Sequence, residues 1–194
     1  MSTLHRRNKS NEGFTLIELL VVIAIIGVLA SIVLASLNNA RRKSRDARRI
    51  TDIKQIGLAL QLYFDGVGAN QFPVGVAKCD ASADADNNNG LQVLVAGGYI
   101  PVIPRDPSNP ATCYRYASGE LTGLLTTFHL AGVLEDAANP AFSGDRDCSS
   151  AGGATTPDCA AGATWAGPEI NGNDTADCTG ATAAGTDQCY DVTP

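Results

Sequence analysis

From Phe14 to Leu37 the chain reads FTLIELLVVIAIIGVLASIVLASL, apolar or small throughout except for one acid, Glu18, in the first turn. As a helix at about 1.5 Å per residue this run reaches roughly 36 Å, enough to cross a hydrocarbon core of about 30 Å. A segment of this kind has to be covered by lipid or by other helices, so the globular part must be built from the residues C-terminal to it. Glu18 is the informative exception. A carboxylate in a membrane-length helix is costly unless a partner offsets its desolvation, and a functional role is the default expectation for it.

A secretory signal peptide is the competing reading, because His5, Arg6, Arg7 and Lys9 give the chain a basic start. Signal cores are shorter, roughly 7 to 15 residues, and lead into a small-residue cleavage site. This run is longer and opens on Glu18, so we read it as a retained helix. All six cysteines (Cys79, Cys113, Cys148, Cys159, Cys178, Cys189) come after it. An even number on one side of a span points to disulfides in an oxidising space. The net charge of -6 conceals a basic stretch before residue 50 and a largely acidic or neutral remainder, which predicts one acidic exported head.

The short basic leader ending in Gly13, followed by FTLIELLVVIAIIGVLA, resembles the class III signal of type IV pilins and type II secretion pseudopilins. The resemblance implies a cut between Gly13 and Phe14 by a membrane-embedded prepilin peptidase, N-methylation of Phe14, and retention of Glu18 for assembly. Cleavage would create a cationic amine on Phe14, and the same amine on a neighbouring subunit would meet the Glu18 carboxylate. Desolvation takes back most of such an attraction, so the pair is expected to set axial register more than to add bulk stability. Where the family commonly has a helix-breaking proline, eight residues after Gly27, this chain has Ala35, which predicts an unbroken helix.

Beyond the span, Asn38 to Arg49 reads NNARRKSRDARR, and then Ile50, Ile53, Ile56, Leu60, Tyr63 and Phe64 recur at spacings of three and four. That spacing predicts an amphipathic helix continuing to about Asp65, for a rod of roughly 78 Å, ended by Gly66 and Gly68. Counted alone, the basic cluster would hold this end in the cytoplasm; the cysteines and the resemblance favour export. The cluster reads as a solvated collar facing acidic surfaces of adjacent subunits, with binding of DNA or anionic lipid as the alternative.

The resemblance extends into a pilin-type head through Tyr63, Phe72-Pro73, a short apolar helix at Leu91 to Val95, Tyr99-Ile100-Pro101 and Pro104-Arg105-Asp106-Pro107. Alternation predicts antiparallel strands at Cys113 to Ala117 and Leu124 to Leu130. The expected fold is α+β: a long N-terminal helix packed on a small antiparallel sheet, with a disulfide-stapled, loop-rich C-terminal region. Its segments are a leader at 1–13, a transmembrane or filament-core helix at 14–37, an amphipathic helix at 38–65, a head at 66–138 and the loop-rich region at 139–194.

That last region is Gly-, Ala- and Thr-rich and cannot build much core. Cys148 is followed eleven residues later by Cys159, and Cys178 eleven residues later by Cys189. Two local staples are the simplest pairing, leaving Cys79 with Cys113, although six cysteines permit other connectivities. Each staple would contribute about 3 kcal/mol in the chain-entropy model.

Asp84, Asp86 and Asn88 gather oxygen ligands that suggest calcium, but the helix-loop-helix pattern needs glycine at the sixth loop position, where counting from Asp84 gives Asn89. A solvated turn is the favoured reading. His5 lies in the leader and cannot work with His129, and no nucleophile has an evident base beside it, so no enzyme is expected. The expected role is a homo-oligomeric filament subunit: a single-pass membrane precursor, then an extracellular pilus assembled with its dedicated machinery, close helix approach being aided by Gly27, Ala30, Ser31, Ala35 and Ser36. On sequence the displayed tail favours a major pilin, with a pseudopilin or minor pilin of a secretion or DNA-uptake system as the alternative and a DNA- or surface-binding module as a third reading.

Overall fold

The computed structural model describes residues 14–66, 69–75, 90–108, 113–150, 159–167, 170, 178 and 188–194, and it divides into two compact units, Met1–Arg41 and Arg42–Pro194. Helix α1, Leu16–Asp65, supplies the apolar segment of the first unit and one wall of the second. It runs through Gly27 and position 35 without a break, as a sequence lacking proline there allows. Among the described residues of the first unit every large apolar side chain is exposed in the isolated chain, from 42 % at Leu37 to 91 % at Phe14. By length and composition α1 can cross a membrane.

Within the second unit α1 becomes one-sided. Ile53, Ile56, Ala59 and Leu60 are buried while Leu58 and Leu62 remain exposed, the stripe expected of a helix lying on a core. The facing layer is an antiparallel sheet of strands β1 (Arg115–Leu121), β2 (Leu124–Val133), β3 (Thr164–Ala166) and β4 (Cys189–Val192), in the order β3-β1-β2-β4. Thr122 and Gly123, both at positive φ, turn the chain from β1 into β2 in a two-residue hairpin. Tyr114, Tyr116, Phe128 and Leu130 face the helix, and Phe72 packs edge-on against Phe128 at 4.9 Å between ring centroids. Gly132 lets α1 approach closely: a Cβ there would meet Ile53 Cδ1 at 2.9 Å. Helix α2, Gln92–Ala96, adds buried Leu94 and begins one residue later than the sequence predicts.

Both predicted strands exist with shifted ends. β1 starts at Arg115 and continues to Leu121, because Ser118-Gly119-Glu120, which breaks the apolar alternation, is still paired with β2 through a register shift at Gly119/Glu120. Ser118 is buried there, its hydroxyl accepting from the Gly75 N–H at 2.8 Å. β2 extends to Val133 because its last residues pair with β4. β3 and β4 come from the loop-rich region and form the two edges of the sheet. Three or four residues paired along one side need little apolar content of their own, which is why composition alone hid them. On the sheet face away from α1, Ala117, Ala131, Ile170, Cys178 and Cys189 form a second, smaller cluster with Trp165 at its margin.

Candidate functional site

At the start of α1, Thr15 and Glu18 form a capping box. The Glu18 carboxylate accepts from the Thr15 N–H at 2.8 Å and from its hydroxyl at 2.9 Å, and the Glu18 N–H donates back to Thr15 Oγ1 at 3.3 Å. The Thr-x-x-Glu spacing is itself a helix-start signature, a signal present in the sequence beside the more conspicuous charge. Phe14, just ahead, is exposed. Gly13, Cys79, Asp84, Asp86 and Asn88 lie outside the described residues.

The second unit holds a buried ion network that the sequence did not reveal. Arg49, only 1 % exposed, uses every nitrogen of its guanidinium. Nε and Nη2 grip Asp106 at 2.9 and 3.1 Å, Nη2 also donates to Ser108 Oγ at 2.7 Å, and Nη1 donates to Asp46 at 2.7 Å and Glu135 at 2.9 Å. Asp46 in turn accepts the backbone N–H groups of Glu135 and Asp136 at 2.9 and 3.0 Å. Arg45 closes the network by a forked bond to Glu135, Nε to Oε1 at 2.7 Å. The hydrogen bond from Arg45, opposed by some burial and reinforced by Arg49, holds the Glu135 carboxyl down to about 2. Two loops, around Asp106 and around Glu135, are thereby fixed to α1.

This corrects the solvated-collar reading for part of the cluster. Arg45, Asp46 and Arg49 turn inward to partners in the same chain, whereas Arg41, Arg42 and Lys43 are exposed and Arg48, 63 % exposed, reaches Asp52 at 3.7 Å. The helical period separates the two groups; the partners on the two loops, 57 to 90 positions away, could not be read from a local pattern.

In the C-terminal region Cys148 is bonded to Cys159 and Cys178 to Cys189, each pair with a Cα–Cα distance of 4.9 Å. Cys113 is disulfide-bonded as well. Beside the first staple, His129 Nε2 lies 2.8 Å from Asp191 Oδ2, both residues fully buried. Asp191 Oδ1 also accepts the N–H groups of Arg146 and Asp147 at 2.9 and 3.1 Å. His129 therefore has a partner, though not the one a search for a second histidine could have found.

Residues 8–34 match the family described as "Prokaryotic N-terminal methylation motif". Type II secretion system core protein G of Vibrio cholerae is 30 % identical to this chain over 64 % of the chain and 83 % of that protein. The protein of the same name from Aeromonas hydrophila is 30 % identical over 69 % of the chain and 94 % of its own length. A "Probable minor fimbrial protein" of Dichelobacter nodosus is 38 % identical over 62 % of the chain and 72 % of its length. No solved structure gives a significant match.

Proposed function

The chain belongs to the type IV pilin and pseudopilin family, and from that membership we propose that it is a pseudopilin-type filament subunit of a secretion system rather than the major pilin its tail suggests. The observation that carries the reading is the apolar length of α1 from Leu16 to Leu37, exposed along all its faces and holding one acid, Glu18. A helix apolar all round needs lipid or like helices about it. In the membrane, lipid supplies the cover; after cleavage between Gly13 and Phe14 and methylation of Phe14, neighbouring copies do.

Two observations favour the pseudopilin over the major pilin. The secretion proteins of Vibrio cholerae and Aeromonas hydrophila are matched over most of their length. The tail, moreover, is not simply displayed: it contributes β3 and β4 to the sheet and so is part of the head's structure. In this reading Glu18, bonded to Thr15 within the chain, receives the processed amine of an adjacent subunit and so fixes the axial step between copies.

Mass spectrometry of membrane and sheared surface fractions tests the reading. The expected result is a chain beginning at methylated Phe14, retained mainly with the envelope; finding it as the principal component of sheared filaments would return the assignment to a major pilin. Replacing Glu18 with Ala should abolish assembly while leaving the unfolding midpoint of the second unit unchanged. Normal filaments from the Glu18→Ala chain would end the register argument.

A further inference from the structure

On the sheet face away from α1, His129, Asp191, Cys148 and Cys159 bring their ligand atoms within 4.8 Å of one another, in a buried setting. The Asp191 carboxylate, anchored by backbone N–H groups, faces His129 Nε2 and so assigns the ring proton to that nitrogen. In the neutral ring Nδ1 is then a lone pair, and it faces Cys159 Sγ at 3.4 Å in a buried setting. A disulfide sulfur has no proton to donate. The closed staple thus leaves a buried acceptor turned toward a group that cannot satisfy it, whereas a thiol proton or a metal ion at the same place would. Cys178–Cys189, of identical spacing, lies instead among Ala117, Ala131 and Ile170.

We propose that this cluster is a latent site for a soft divalent cation of the Zn²⁺ type: once Cys148 and Cys159 are thiols, they and His129 Nδ1 bind the ion, with Asp191 holding the imidazole through Nε2. Tetrahedral zinc, with bonds of about 2.3 Å to sulfur and 2.0 Å to nitrogen, places nitrogen and sulfur about 3.5 Å apart. The Nδ1 to Sγ separation is already 3.4 Å. The two sulfurs must part, from 2.02 Å to about 3.8 Å. A carboxylate behind a ligating histidine fixes the ring and raises its basicity, and such support is worth roughly 10- to 100-fold in affinity.

The redox step balances through a dithiol. It gives two electrons and two protons to the disulfide and itself becomes a disulfide, after which the cation displaces the two thiol protons to solvent. A newly made chain reaches the same dithiol state directly. The cation then holds the two sulfurs side by side until a disulfide-class oxidant closes the staple and releases it. This inference goes beyond the filament reading and does not depend on it.

The full chain in detergent, reduced with a dithiol and freed of it under argon, is titrated with Co²⁺ as the probe and then with Zn²⁺. Expected is a thiolate-to-cobalt absorption band that Zn²⁺ removes, present in the reduced chain and absent from the oxidised one. His129→Gln retains a donor toward Asp191 but lacks Nδ1; it should weaken Co²⁺ binding at least about tenfold, with the circular dichroism of the oxidised form unchanged. Cys178→Ser/Cys189→Ser should keep the band. No band in the reduced chain, equal affinity in His129→Gln, or loss of the band in Cys178→Ser/Cys189→Ser each overturns the proposal.

Discussion

The two lengths of α1 solve the same problem in opposite ways. From Arg42 to Asp65 the helix has an apolar stripe, and Ile53, Ile56 and Leu60 are fully buried within their own unit. From Leu16 to Leu37 the large apolar side chains go all the way round and remain exposed. A one-sided pattern can be satisfied inside one chain; an all-round pattern cannot, because no single surface covers every face of a helix. The charges divide in the same manner. Arg49 adds to its neighbour Asp46 three long-range acceptors, Asp106, Ser108 and Glu135, while the Glu18 carboxylate is bonded only to Thr15, three residues away, among the described residues. Apolar periodicity therefore separates the length that stabilises a subunit from the length that joins subunits.

That division breaks most readily at Arg49. Arg49→Ala leaves Asp46, Asp106 and Glu135 together without the central cation, and removing one partner from a buried ion network costs about 3–5 kcal/mol. Denaturant unfolding of the detergent-solubilised chain should show a loss of that size, and Arg49→Lys should recover little, since an ammonium lacks the fork that spans Asp106. A loss below about 1 kcal/mol would mean that the network is peripheral to the head.

A matched pair of leucines sharpens the contrast next. Leu60→Ala should destabilise the second unit by about 2–5 kcal/mol through the cavity it opens. Leu20→Ala, on the exposed length, should leave that midpoint where it is and reduce the yield of assembled filament instead. Equal effects of the two on unfolding would erase the distinction.

The smallest effect is set by acid. Glu135 is held at about 2 in the folded chain against an ordinary value of 4.5, so the unfolded chain takes up the proton first. The contribution of this carboxylate is complete above about pH 4.5 and is lost as pH falls toward 2. Glu135→Gln should flatten that part of the stability profile, read as unfolding midpoints across the interval. A profile unchanged by the substitution would exclude Glu135 as a contributor.

The parts legible in the sequence are those written in local pattern. The apolar run, the three-and-four spacing after Ile50 and the alternation around Phe128 each name an element, because the side chains that define it are neighbours in the chain. Hairpin partners β1 and β2 were legible for that reason; β3 and β4 were not, since an edge strand such as Thr164–Ala166 is stabilised by pairing with Ser118 to Glu120, far back in sequence. Long-range polar pairs were hidden in the same way. Arg49 looks like any collar arginine until Asp106 arrives from 57 positions away, and His129 looks isolated until Asp191 arrives from 62. Thr15 and Glu18, like Asp46 and Arg49, are a local pair, and their spacing is masked by the membrane cost of the acid.

The two disulfides hold the ends of their loops 4.9 Å apart irrespective of what lies between them. For a chain clamped in this way, lengthening a loop adds only about 0.6 kcal/mol of closure entropy per doubling. Sequence inserted into either loop, away from Ser149, Ser150 and Gln188, which are bonded to Ile170 and Leu134, would therefore cost little in closure entropy. Were the chain assembled with copies of itself, every copy would repeat a peptide grafted there, each staple keeping its cysteines 4.9 Å apart.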